Sequence, residues 1–136
     1  MPFVLDASVA LAWSFMDENS EYAARVLARL SSDSALVPSI WTLEVANGLL
    51  VAERRRRLVS TDVTRAFEIL GNLSIIVDEI YQDEAFGPIA NLARQQNLTA
   101  YDASYLRLAM REGLALATQD NDLRSAAQQV GVPLVN

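Results

Sequence analysis

FVLDAS, Phe3–Ser8, begins with three apolar residues in succession and breaks on an aspartate. A strand with one face in water alternates apolar and polar residues, whereas a strand covered on both faces has no need to. Phe3–Leu5 therefore reads as a fully buried strand, with Asp6 just past its carboxyl end. Short unbroken apolar runs recur at Ala35–Val37, Ile75–Val77, Leu114–Ala117 and Leu134–Val135, separated by longer stretches of helical period. Buried strands alternating with helices define an α/β chain whose mostly parallel sheet lies between helices. Helices are expected near Val9–Phe15, Ser20–Leu30, Ser39–Arg57, Thr61–Leu70, Gln82–Gln96, Ala100–Arg111 and Asn121–Val130. Ser39 and Thr99 suit N-caps, and Gly113 and Gly131 suit helix stops. The stretches DENSE (Asp17–Glu21) and SSDS (Ser31–Ser34) read as polar connections inside one domain spanning residues 1–136.

The chemistry open to such a chain is narrow. It has no cysteine and no histidine, so thiolate metal sites, cysteine nucleophiles and the commonest general base are excluded. All 11 basic residues are arginines; the absence of lysine removes Schiff-base chemistry and the phosphate-binding lysine of a P-loop. Carboxylates, hydroxyls, amides and arginine remain. A Rossmann dinucleotide site is also excluded, because no G-x-G-x-x-G follows the first strand. No leader pattern opens the chain and no segment approaches the ~18 apolar residues of a membrane span, so a cytoplasmic protein free of membranes is expected.

Four carboxylates stand in unusual places. Asp6 follows the first strand, and Asp120 follows the Leu114–Ala117 run by way of Thr118 and Gln119. In an open parallel sheet both would lie on the rim where ligands bind; as isolated residues both would equally serve as helix N-caps. At about 100° per residue, Glu44 shares a helix side with Ile40, Asn47 and Val51, and so faces inward. Asp102 shares a face with Tyr105, Leu106, Ala109 and Met110, with Ser104, Arg107 and Arg111 opposite. An arginine ion pair or a solvated helix edge would account for Glu44. A loose capping box with Thr99 would account for Asp102, and Asn47 is either a hydrogen-bond partner of Glu44 or a polar neighbour. Gathered on one rim, however, Asp6, Glu44, Asp102 and Asp120 repel one another unless cations sit among them. All-oxygen ligands favour hard ions, Mg²⁺ or Mn²⁺ rather than Zn²⁺. That chemistry suits phosphodiester hydrolysis, with one ion activating water and a second, roughly 4 Å away, stabilising the leaving oxygen.

At these residues the chain resembles the PIN-domain ribonucleases, and among them the VapC-type toxins of toxin–antitoxin pairs. FVLDASVAL is similar to the family's opening strand and first acidic residue, Asp6, with Ser8 as its hydroxyl; EVANGL is similar to the second motif, with Glu44 and Asn47. LTAYDASYLRLA resembles the third, with Asp102, and LATQDNDL the fourth, where Thr118 and Asp120 match T-x-D. The resemblance implies a three-layer α/β/α sandwich, an acidic Mg²⁺ site (Mn²⁺ as the alternative ion), cleavage of single-stranded RNA, a homodimer and a cognate antitoxin. The homodimer also fits the aromatic content, since a small interior has limited room for Trp13, Phe15, Trp41 and Phe86 together. Asp122 is either an additional charge at the site or a residue of the last helix's first turn, and Asp78 and Glu79 read as solvated loop residues.

The net charge of −6 is awkward for an RNA-binding protein, although bound cations would invert the local potential. ERRRRL supplies a concentrated positive patch: Arg54, Arg55, Arg56 and Arg57, read as successive helical positions, contact RNA phosphates, pair with an antitoxin, or simply finish a helix. The competing assignments for the whole chain are a non-catalytic α/β interaction module and a metal-dependent DNA nuclease or phosphatase on a related scaffold.

Overall fold

A computed structural model describes residues 1–15 and 20–136. The Asp17–Asn19 part of the DENSE connection lies outside the described residues. Four strands, β1 (Phe3–Leu5), β2 (Ala35–Pro38), β3 (Ile75–Asp78) and β4 (Leu116–Ala117), form a parallel sheet in the order β3-β2-β1-β4. Val4 is in register with Leu36 on one side and Leu116 on the other. Every residue of β1 is fully buried, and because consecutive side chains point to opposite faces, both faces of the sheet centre are covered by helices. The helices are α1 (Ala7–Ala12), α2 (Glu21–Arg29), α3 (Ile40–Arg54), α4 (Ser60–Gly71), α5 (Gln82–Glu84), a π-helical turn (Ala85–Ile89), α6 (Ala90–Gln96), α7 (Ala100–Glu112) and α8 (Asn121–Val130). None among the described residues is long and apolar enough to cross a membrane.

The direction of strand addition reverses at β1, with β2 and β3 on one side and β4 on the other. Such a switch point opens a crevice beyond the strands' carboxyl ends. Asp6 and Thr118 are the first residues past β1 and β4, so the topology brings them together across 112 positions of sequence. Gly48 allows α1 to approach α3 closely: a Cβ there would lie 2.6 Å from Leu11 Cδ2.

Several elements depart from expectation for local reasons. The fourth strand is shorter than Leu114–Ala117, because Gly113 takes a left-handed conformation and the Leu114 N–H turns back to Ala109 O to close α7. The predicted Leu134–Val135 strand is a single bridge from Leu134 to Leu116. β3 is an edge strand with Ile76 and Val77 exposed, not buried on both faces. The expected continuous Gln82–Gln96 helix is interrupted where Pro88, which has no N–H, falls within the π-helical turn. Ser39 occupies the N-cap position of α3, but its hydroxyl accepts from the Ile80 N–H instead of capping the helix. The helix α3 stops at Arg54, short of Arg57. Arg56 has a φ of 61°, and the Arg57 N–H returns to Ala52 O.

Candidate active site

Asp6 continues the sheet ladder by one residue, its N–H donating to Ala117 O at 2.9 Å. It holds the N-cap position of α1, yet its side chain makes no capping bond. The carboxylate instead accepts at Oδ2 from Ser8 Oγ and from Thr118 Oγ1, each at 2.7 Å. Asp6 is only 5% exposed. Burial raises its pKa, the Thr118 and Ser8 hydroxyls work against that rise, and Asp120 adds to it.

The T-x-D spacing has a physical role. Thr118 is fully buried, and its hydroxyl donates to Asp6 while accepting from the Asp120 N–H at 3.1 Å. One hydroxyl thus ties the two acidic segments together, using both its donor and its acceptor capacity. Asp120 does cap α8: its Oδ1 accepts from the Leu123 N–H at 3.0 Å. This N-cap bond engages one oxygen of two, and the charge of Asp120 still acts on Asp6 and Asp102.

Glu44, in the second turn of α3, is half-buried, and its Oε1 accepts from the Tyr105 hydroxyl of α7 at 2.6 Å. Burial raises its pKa; the Tyr105 hydrogen bond opposes that rise, and Asp6 reinforces it. Asn47 is exposed and makes no side-chain hydrogen bond among the described residues, so the partner of Glu44 is Tyr105 and not Asn47. Asp102 lies in the first turn of α7, where its N–H donates to Thr99 Oγ1 at 3.0 Å. A helix N-terminus favours a carboxylate. Burial, followed by the charges of Asp6, Asp120 and Glu44, nevertheless pushes Asp102 up to about 6, so desolvation and like-charge repulsion outweigh the Thr99 hydrogen bond.

The carboxylates of Asp6, Glu44, Asp102 and Asp120 therefore come from four separate elements and act on one another. Among the described residues, no three of them form a cluster tight enough to grip an ion unaided. Asp122 is exposed on the first turn of α8 and is not among the principal influences on the other carboxylates.

The arginine run lies elsewhere. Arg54 ends α3, ten residues beyond Glu44 and so about 15 Å along the helix axis. Arg55 is the C-cap, Arg56 is left-handed, and Arg57 lies over the Phe15 ring at 4.2 Å. Arg57 lines a groove of about 670 Å³ with Trp13, Leu27, Arg65, Ile69 and Leu73. Asp78 is not a solvated loop residue: it ends β3 and accepts from Arg111 at 2.8 Å. Around α7, Ser104 is buried and Met110 exposed, the reverse of their expected faces, because this helix packs against the sheet, the π-helical turn, α6 and α8. Tyr105 is the site residue that helical spacing left as mere core. Its place one turn after Asp102 was the available signal.

The chain belongs to the PIN-domain family, matching the PIN domain over residues 3–129. It is 32% identical over 132 residues to Ribonuclease VapC9 of Mycobacterium tuberculosis, covering 92% of this chain and 91% of that protein. Its fold is like that of VapBC2 from Rickettsia felis, solved bound to a DNA fragment from the promoter, with a TM-score of 0.69 and 13% identity over 100% of this chain and 98% of that one. A toxin–antitoxin complex from Klebsiella pneumoniae gives 0.61 and 18% identity over 87% and 86%.

Proposed function

We propose that residues 1–136 act as one metal-dependent endoribonuclease domain, the toxin of a toxin–antitoxin pair, cutting single-stranded RNA in the cytoplasm. The observation that carries this reading is the buried Asp6 carboxylate, held through one oxygen by Ser8 and Thr118, together with Asp102, which burial and the charges of Asp6, Asp120 and Glu44 push up to about 6. Collecting like charges on one rim destabilises the fold, which argues for a cation as their purpose. RNA as the substrate is supported by the likeness to Ribonuclease VapC9.

Asp6, Glu44, Asp102 and Asp120 are the residues that would hold the ion. The donor set is all oxygen and has no tight triad, which fits a hard ion such as Mg²⁺ or Mn²⁺ that retains waters and takes one or two carboxylates directly. When bound, the ion supplies an activated water and offsets charge on the phosphate. The chain's own part is orientation: Ser8 and Thr118 hold Asp6 by one oxygen, Tyr105 holds Glu44 by one oxygen, and the α8 cap holds Asp120 by one.

The apolar groove lined by Trp13, Leu27, Ile69 and Leu73, with Arg65 and Arg57 on its wall, belongs with the antitoxin and not with RNA, since apolar walls suit a peptide segment more than a phosphate backbone. Arg54, Arg55 and Arg56 are exposed at the end of α3 and finish that helix. The working form is a homodimer, supported by exposed Leu43, Phe86 and Tyr101.

The test is cleavage of matched single-stranded RNA and DNA with Mg²⁺ and with a chelator. RNA should be cut only with the ion. Asp6→Asn and Asp102→Asn should each reduce the rate by at least about 100-fold while the protein stays folded. Cleavage by either variant at the wild-type rate would place the chemistry elsewhere, and equal cleavage of DNA would favour a DNA nuclease.

A further inference from the structure

Tyr105 is fully buried in the core, yet its hydroxyl reaches a carboxylate on another helix, 61 residues away in sequence. At 2.6 Å the contact has the length of a hydrogen bond to an ionised acceptor. The same helix carries Asp102 one turn earlier, so α7 presents to Glu44 both a like charge and a donor. A glutamate has three side-chain torsions, and beside Asp102 and Asp6 an unrestrained Glu44 would relax toward solvent. The phenol hydroxyl donates its proton into this bond and Glu44 accepts it, so Tyr105 serves here as the donor.

We infer that Tyr105 is a positioning residue: it fixes Glu44 by Oε1, leaving Oε2 for the cation, and sets the spacing between Glu44 on α3 and Asp102 on α7. This deepens the proposed nuclease site and rests on it. The alternative is that the hydroxyl merely finds a partner for a buried phenol. Tyr105→Phe retains the ring and removes one oxygen, so the two readings separate.

The experiment titrates Mg²⁺ into wild type, Tyr105→Phe, Glu44→Gln and the double variant, following both melting temperature and RNA cleavage. Residues that orient a metal ligand through its other atom typically change metal affinity by about 10- to 100-fold. Tyr105→Phe should therefore raise the Mg²⁺ concentration for half-maximal stabilisation, and for half-maximal activity, by at least about tenfold. The KM for RNA should hold, and kcat should recover at saturating Mg²⁺. In the Glu44→Gln background the tyrosine substitution should cause no further shift. A Tyr105→Phe protein that melts earlier without Mg²⁺ but titrates with it like wild type would overturn the inference, leaving the phenol a core residue only. An equal shift on the Glu44→Gln background would overturn it too, since Tyr105 would then act other than through Glu44. A wild type with no Mg²⁺ response in either readout would overturn the nuclease site and this inference together.

Discussion

Asp102 links residue chemistry to a measurable pH dependence. Its carboxyl titrates at about 6 in the folded chain, against the ordinary 3.8 that applies when unfolded. Between those values the folded state binds more protons than the unfolded state, so this residue's contribution to stability falls as pH rises from about 4 to about 6 and levels off above. Asp102→Asn should remove that part of the slope. In denaturation of the chelator-treated proteins, the difference between variant and wild type should grow in the variant's favour across this window; a constant difference would mean that Asp102 is not perturbed. Mg²⁺ should flatten the wild-type slope by offsetting the repulsion. Asp6 and Asp120 were legible as rim residues because an unbroken apolar run marks a strand end directly. Their individual roles were less so: Asp120 caps a helix while Asp6 does not, and Asp6 instead accepts from Thr118, which only the β1–β4 pairing brings to it.

At the scale of elements, the end of α3 is the clearest departure and carries its own prediction. Arginine is an ordinary helix former, so nothing in ERRRRL announces a stop. The stop is backbone closure onto Ala52, with Arg56 in the left-handed region that usually calls for glycine. Arg56→Gly should relieve that strain and stabilise the protein by about 0.5–1 kcal/mol, after the extra freedom of glycine in the unfolded chain is subtracted. A urea titration would show it as a higher midpoint with an unchanged slope. A lower midpoint would mean that the Arg56 side chain contributes more than its backbone strain costs. The same locality explains the other boundaries. Leu114 reads as strand from its apolar neighbours but is consumed in closing α7, and Pro88 sits in a helical period that its missing N–H cannot sustain as α-helix. The openness of β3 was not legible at all, because an edge is a property of the sheet and not of the strand.

The whole molecule leaves a particular face uncovered. Leu43 is 69% exposed, Phe86 75% and Tyr101 60%, contributed by α3, the π-helical turn and α7. Leu43 and Tyr101 line one cavity of about 400 Å³ with Ala85, so these two mark one surface, and Phe86 follows Ala85 in the π-helical turn. Exposed apolar side chains scattered singly need no explanation, but a clustered group with aromatic members is the usual mark of an interface. Phe15 and Trp41 are buried, so of the aromatics first suspected of crowding a small interior, Phe86 is the one displaced to the surface. Two of the patch residues immediately precede residues of the proposed site, Leu43 before Glu44 and Tyr101 before Asp102, and successive helical positions diverge by about 100°. The exposed apolar face and the carboxylate rim are therefore adjacent sides of the same two helices, and a second copy docked on this face would border the site without covering it. Leu43→Asp with Phe86→Asp should convert the proposed dimer to a monomer by light scattering at micromolar concentration, a loss of at least about 100-fold in self-affinity. Because neither change touches a carboxylate, the Mg²⁺-induced rise in melting temperature should persist in the monomer. A wild type that is already monomeric at those concentrations, or a double variant that remains dimeric, would assign this face to another partner.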